Sequence, residues 1–137
     1  CKAISEEDAC TLLARDTYGK GQMYTMVLPD AFSDIKHLSQ TVLSRMRKEL
    51  CFNGVRLEAK GQISIFHYDN DAFVIYPYVD NDTYDSDITV CIKDAKYITS
   101  LSDSRRIEPL YTHNGEAYFK LRSQAGKFSA YSIARNR

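Results

Sequence analysis

A chain of 137 residues has the length of one ordinary domain and can bury about two-thirds of its unfolded surface without a disulfide framework. Hydrophobic residues at 44% and charged residues at 26% exclude collagen-like, coiled-coil and disordered architectures. Eighteen Lys and Arg balance eighteen Asp and Glu, so a general phosphate-binding surface lacks its basic excess, and nucleic acid is not expected as a partner. The longest apolar stretches, such as Phe73 to Tyr76, stop far short of the roughly 20 residues of a membrane span.

The chain starts on Cys1 rather than methionine, which reads as a processed or excised piece of something longer. A lipidated Cys1 is the other option, although Ala9, Leu12 and Leu13 follow almost at once where a polar tether would be expected. Cys1, Cys10, Cys51 and Cys91 show no C-x-x-C pair, against zinc and against a thioredoxin-type site. They read as small half-buried thiols, with a Cys10 to Cys51 bridge left open. No cofactor is expected.

Met23 to Leu28 predicts a short buried strand, entered flexibly through Gly19-Lys20-Gly21 and stopped by Pro29-Asp30. Ile35, Leu38, Val42, Leu43, Met46 and Leu50 then recur at helical spacing. Ser33 is the expected N-cap, Asp34 complements the helix N-terminus, and Arg45, Arg47 and Lys48 crowd the C-terminal turns. Such a stripe must be buried somewhere, and a neighbouring part of a parent protein is the expected contact. Asn53-Gly54 ends the helix as a turn.

After Gly54 the period becomes 2: Val55, Leu57 and Ala59 alternate with Arg56, Glu58 and Lys60. Gln62 to Tyr68 and Phe73 to Val79, joined by Asp69-Asn70-Asp71, predict a β-hairpin, and Pro77 suggests that its second strand lies at a sheet edge. Further strands are expected at Ile88 to Ile92, Lys96 to Leu101, Ile107 to Tyr111, Ala117 to Arg122 and Phe128 to Ile133. His113-Asn114-Gly115 and Gln124-Ala125-Gly126 read as turns.

Catalytic signals are sparse. His37 is expected on the helix surface, His67 at a hairpin end and His113 in a turn, with no i, i+4 pair and no G-x-S-x-G elbow. Asp80 to Asp87 holds four carboxylates, but counted from Asp80 it has Asp85 where an EF-hand needs glycine and Cys91 where it needs glutamate, so no calcium or other metal site is expected. Ten tyrosines and no tryptophan are the most unusual feature. Tyr76 and Tyr78 share a strand parity with Tyr84 close by in sequence, and the three are the candidate ligand-binding residues against the plainer role of sheet packing.

The segment Tyr18-Gly19-Lys20-Gly21-Gln22-Met23-Tyr24-Thr25-Met26-Val27-Leu28-Pro29-Asp30, the helix after it and the strand Ile63 to Asn70 together resemble the C-terminal region of large bacterial glycoside hydrolase-like proteins. In such proteins, including β-galactosidase relatives with an amidotransferase-like domain, a Y-G-K-G strand closes an α/β domain and a small β-sandwich ends the chain. Asp94 to Ser104 followed by Phe119 to Ile133 is similar to the closing pattern of those sandwiches. The resemblance implies catalytic carboxylates in a preceding barrel domain, carries none onto this chain, and implies a periplasmic or secreted setting.

The expected fold is mainly β (α+β): an antiparallel β-sandwich of about seven to eight strands with one amphipathic helix near the N-terminus. Residues 1–53 read as a strand-and-helix lead-in that can end a preceding domain, and 54–137 as the sandwich. The expected function is that of a non-catalytic accessory domain of a larger carbohydrate-active protein, its partners being the preceding domains of the parent chain. A carbohydrate-binding module acting through surface tyrosines is the alternative.

Overall fold

The computed structural model describes residues 2–5, 11–27, 37–51, 54–59, 63–79 and 87–135. These form twelve β-strands and one α-helix, every strand pair being antiparallel. The fold is therefore mainly β, as expected. It divides into two compact units, Cys1–Leu50 and Cys51–Arg137.

The first unit holds β1 (Lys2–Ser5), β2 (Thr11–Tyr18) and β3 (Gly21–Met26) in one sheet, followed by α1 (Gln40–Leu50). Gly19-Lys20-Gly21 is not a loose entry into a strand. Gly19, at φ 59°, begins the tight turn between β2 and β3, a backbone region that a glycine occupies at little steric cost. Sequence periodicity missed β2 because its two adjacent leucines, Leu12 and Leu13, are both buried, which breaks the alternation of a one-sided strand. Nor is β3 the buried strand expected: Met23 and Val27 are exposed, and only Tyr24 and Met26 pack against the unit's core.

Ser39 caps α1: its carbonyl accepts from Leu43 N at 3.0 Å and its hydroxyl from Val42 N at 3.4 Å. Thus the described cap falls six residues after the expected one, Ser33, which lies with Asp34 and Ile35 outside the described residues. His37 is exposed in a turn before the helix instead of on its surface. Val42 and Met46 pack with Leu12 and Leu13, flanked by the half-buried Leu38 and Leu50, so this part of the apolar stripe packs on the unit's own sheet. Arg15 reaches from β2 to Glu49 at 3.2 Å.

The second unit is a sandwich. One sheet has the order β10 (Tyr111–His113), β11 (Glu116–Arg122), β7 (Asp87–Lys93), β4 (Val55–Glu58). The other runs β5 (Ile63–Tyr68), β6 (Ala72–Pro77), β12 (Ser129–Arg135), β8 (Ala95–Ser100), β9 (Arg106–Ile107). Alternate residues of both sheets interdigitate in one core: Val55, Leu57, Ile88, Val90, Ile92, Ala117, Phe119 and Leu121 from the first, Phe73, Ile75, Ile98, Tyr131 and Ile133 from the second. Phe73 stacks on Tyr131 with centroids 5.1 Å apart.

Two local expectations fail here. Strand β6 is internal, between β5 and β12, and not at an edge. It tolerates Pro77 because the proline is its last residue, two beyond Ile75, where pairing with β12 ends; the Pro77 carbonyl still accepts from Gly126 N at 2.8 Å. Ile107 to Tyr111 is not one strand. Arg106–Ile107 pairs with β8, the chain crosses at Glu108-Pro109-Leu110, and Tyr111–His113 pairs with β11 in the opposite sheet. Pro109 supplies no N–H to a ladder, so the break falls there. The Asn114-Gly115 turn, with φ of 50° and 77°, closes the β10–β11 hairpin as expected.

Candidate functional site

The two outward faces of the sandwich carry all the chemistry that the described residues of this unit present, and they are unlike. Register assigns the members of each. In the five-stranded sheet, Ser64 pairs with Tyr76, Phe66 with Val74 and Tyr68 with Ala72; Ala130 and Ser132 lie beside Val74 and Ala72, and Tyr97 and Thr99 follow on β8. All of these stand on the side away from the core, because paired residues share a face and Ile75, Phe73 and Tyr131 point inward.

At one end of this face three rings meet. Tyr76 lies 4.5 Å from Phe128 and 5.1 Å from Tyr78, the latter edge-on at 82°. The Ser64 hydroxyl donates to the Tyr78 hydroxyl at 3.2 Å. Phe128 is 70% exposed, and Phe66, Tyr68 and Tyr78 are about half exposed. Of the three candidate tyrosines, Tyr76 and Tyr78 are thus brought together, whereas Tyr84 lies outside the described residues. Phe128, Phe66 and Tyr68 were missed. The signal was present in the sequence: in Ser64, Phe66 and Tyr68 the outward parity of β5 is aromatic where a solvated face would be charged.

The four-stranded sheet presents a closed polar network. Arg56 on β4 extends across Cys91 on β7 to Glu116 and Tyr118 on β11. Its guanidinium holds Glu116 with both terminal nitrogens, Nη1 to Oε1 and Nη2 to Oε2 at 3.0 Å. Nη2 also donates to the Tyr118 hydroxyl at 3.2 Å and to Glu58 at 3.5 Å, and the Tyr118 hydroxyl donates to Glu116 at 3.3 Å. Tyr111 stacks on Tyr118 with centroids 4.4 Å apart. Burial is the largest single influence and works against the Arg56 charge, but the hydrogen bond to Glu116 and the neighbouring Cys91, Glu116 and Tyr118 together outweigh it and hold the pKa above its ordinary value. Burial pushes the Cys91 thiol up to about 11 and the Tyr118 phenol up to about 12. Both are protonated at neutral pH, and a protonated thiol is a poor nucleophile.

The remaining candidates stand apart. His37 and His113 are exposed; His67 faces inward at the hairpin end, opposite Phe73, with Nε2 buried and unpartnered. Asp87 opens β7 and pairs with Lys120 at 2.6 Å, whose hydrogen bond lowers the carboxyl pKa; Asp80 to Ser86 lie outside the described residues. Among the described residues there is no group of three or more His, Cys, Asp or Glu able to hold a metal ion, and no helix is long and apolar enough to cross a membrane. Cys91 is buried and Cys51 half-buried, while Cys1 and Cys10 lie outside the described residues.

A small two-sheet antiparallel sandwich with one aromatic and one ion-paired outward face is the class of domain that these residues define. Residues 54–133, more than half of the chain, match the family described as "Probable glycosyl hydrolase, C-terminal domain". The chain belongs to that family. Among curated proteins and among solved structures, nothing matches it.

Proposed function

We propose that the sandwich serves as a non-catalytic accessory domain of a larger bacterial carbohydrate-active protein, docking and orienting the preceding domains of its parent chain. The observation that carries this reading is the family match over residues 54–133. The ionisable groups of the four-stranded face support it. Glu116 is committed to Arg56, and the Cys91 thiol holds its proton, so this cluster offers neither a free general acid nor a nucleophile. The likeness of Tyr18 to Asp30 to the end of an amidotransferase-like domain supports such a domain in the preceding part of the parent and, with it, a periplasmic or secreted setting.

Turnover of a panel of chromogenic glycosides by this chain tests the proposal. No hydrolysis is expected. Hydrolysis that vanishes in Glu116→Gln or Glu58→Gln would overturn it.

The contact of Tyr76 with Tyr78 and Phe128 favours a second reading, a carbohydrate-binding module acting through surface aromatics. Tyr84 belongs to that reading by its sequence position alone.

A further inference from the structure

We propose that the outward face of the five-stranded sheet is a trough for an uncharged oligosaccharide, with a small-residue floor on β6 and β12 between an aromatic wall on β5 and a rim of Tyr97 and Thr99 on β8. The inference rests on the carbohydrate-binding reading above and extends it from two tyrosines to a bounded surface. Ala72, Val74, Ala130 and Ser132 make the floor, each half-buried and none larger than valine. On one side Phe66 and Tyr68 rise from β5; on the other Tyr97 and Thr99 rise from β8. Three interstrand steps separate β5 from β8, about 14 Å between strand axes. Along the strands, the four steps from Ala72 to Tyr76 span about 13 Å, and Tyr76 with Phe128 stands at that end. Such a space suits roughly two or three sugar rings.

Chemistry favours a sugar over other occupants. The C–H faces of a pyranose pack on aromatic rings by dispersion, while its hydroxyls need partners that an aliphatic surface would deny them. Most of the large apolar side chains of this face are aromatic, with Val74 and, at the end of β8 beside Ala130, the exposed Leu101 as aliphatic members, and Ser64, Ser132, Thr99 and the tyrosine hydroxyls supply the polar partners. Floor and walls carry no charge. Beside the β8 side, Arg106 lies 3.7 Å from the centroid of the Tyr97 ring and is balanced by Glu108 at 2.5 Å. With no charge on its floor or walls, the trough fits a neutral glycan.

Affinity electrophoresis of the 137-residue chain through gels containing xylan, mixed-linkage β-glucan, galactan or polygalacturonate tests this directly. We expect retardation by at least one neutral polysaccharide. Phe128→Ala and Ser132→Tyr, both at outward positions, should weaken it about tenfold with melting temperatures kept. Lys120→Ala on the opposite sheet should leave it unchanged. Retardation that survives both trough variants would overturn the trough while leaving sugar binding standing. Retardation by polygalacturonate alone would overturn the neutral ligand. Failure of every gel to retard the chain would overturn trough and sugar binding together, without touching the accessory role, which turnover tests. Self-association lost in Phe128→Ala, with no retardation, would assign the face to protein docking instead.

Discussion

The four-stranded and five-stranded sheets share one core and one alternation of inward and outward residues, yet their outward faces have spent their interactions differently. On the first, the charged groups are spent on one another: Arg56 binds Glu116, Tyr118 and Glu58 through its terminal nitrogens, its buried Nε alone lacking a partner, and Asp87 binds Lys120. On the second, rings of Phe66, Tyr68, Tyr78 and Phe128 keep about half or more of their surface open to solvent. A salt-bridge network closes on itself because each charge needs a partner once it leaves water. A ring demands no partner, so its surface can remain available. The first face should therefore govern stability and the second recognition.

The largest expected effect lies on the closed face. Arg56→Leu removes the cation but leaves Glu116 and the Tyr118 hydroxyl in place, and breaking a buried pair from one side costs about 3 kcal/mol. Urea unfolding of the full chain should show this loss. Arg56→Leu combined with Glu116→Leu should recover much of it, since removing both partners leaves no orphaned charge. A single substitution that costs less than about 1 kcal/mol would show that the network is not what holds this face.

The next effect appears with pH. The Cys91 thiol is raised from its ordinary 9.0 to about 11, first by burial and despite the neighbouring Arg56, with Glu116, Tyr118 and Glu58 also facing it. Above pH 9 the unfolded chain loses this proton while the folded chain keeps it. Stability is thus full below pH 9 and falls as pH rises toward 11, by about 2 kcal/mol. Tyr118, raised to about 12, extends the loss upward. Cys91→Ala should abolish the part between pH 9 and 11 in unfolding curves taken across that range. An identical slope in the variant would assign the dependence elsewhere.

The closed face was also the less legible one in sequence. Arg56 reads as one more exposed residue of an alternating strand, and nothing in the linear order brings it beside Glu116 and Tyr118, which stand 60 and 62 positions away. Only the register of β4, β7 and β11 does so. The aromatic face could be anticipated further, because Tyr76 and Tyr78 show their parity locally; Phe128, just before β12, is brought beside them by the pairing of β12 with β6. At fold level, turn chemistry located the β5–β6 and β10–β11 hairpins, where Asp71 and Asn114 take positive φ. It did not reveal β2, whose adjacent buried leucines hide the alternation, or the passage from β9 to β10 between sheets, which depends on where Pro109 finds room.

Between the two faces, His67 sharpens the contrast from within. It is inward on β5, and its buried Nε2 has no partner. An unsatisfied buried polar atom costs about 1 to 3 kcal/mol, so His67→Phe should raise stability by about 1 kcal/mol in urea. A loss of stability would show instead that the imidazole is needed at the hairpin end.

The smallest expected effect belongs to the open face, and its smallness is the point. Tyr78→Phe deletes the hydroxyl that accepts from Ser64 at 3.2 Å but keeps the ring against Tyr76. That bond is exposed, and water replaces it when the protein unfolds, so its loss should change stability by less than about 0.5 kcal/mol. Tyr78→Ala removes the edge-to-face contact as well, about 0.5 to 1.5 kcal/mol at most. If this face is built for recognition, retention on a neutral polysaccharide must fall in Tyr78→Ala by more than the melting temperature predicts, with Tyr78→Phe between it and the parent chain. Equal proportional losses of stability and retention would make the ring a packing element of the sheet, and the division of labour between the two faces would fail with it.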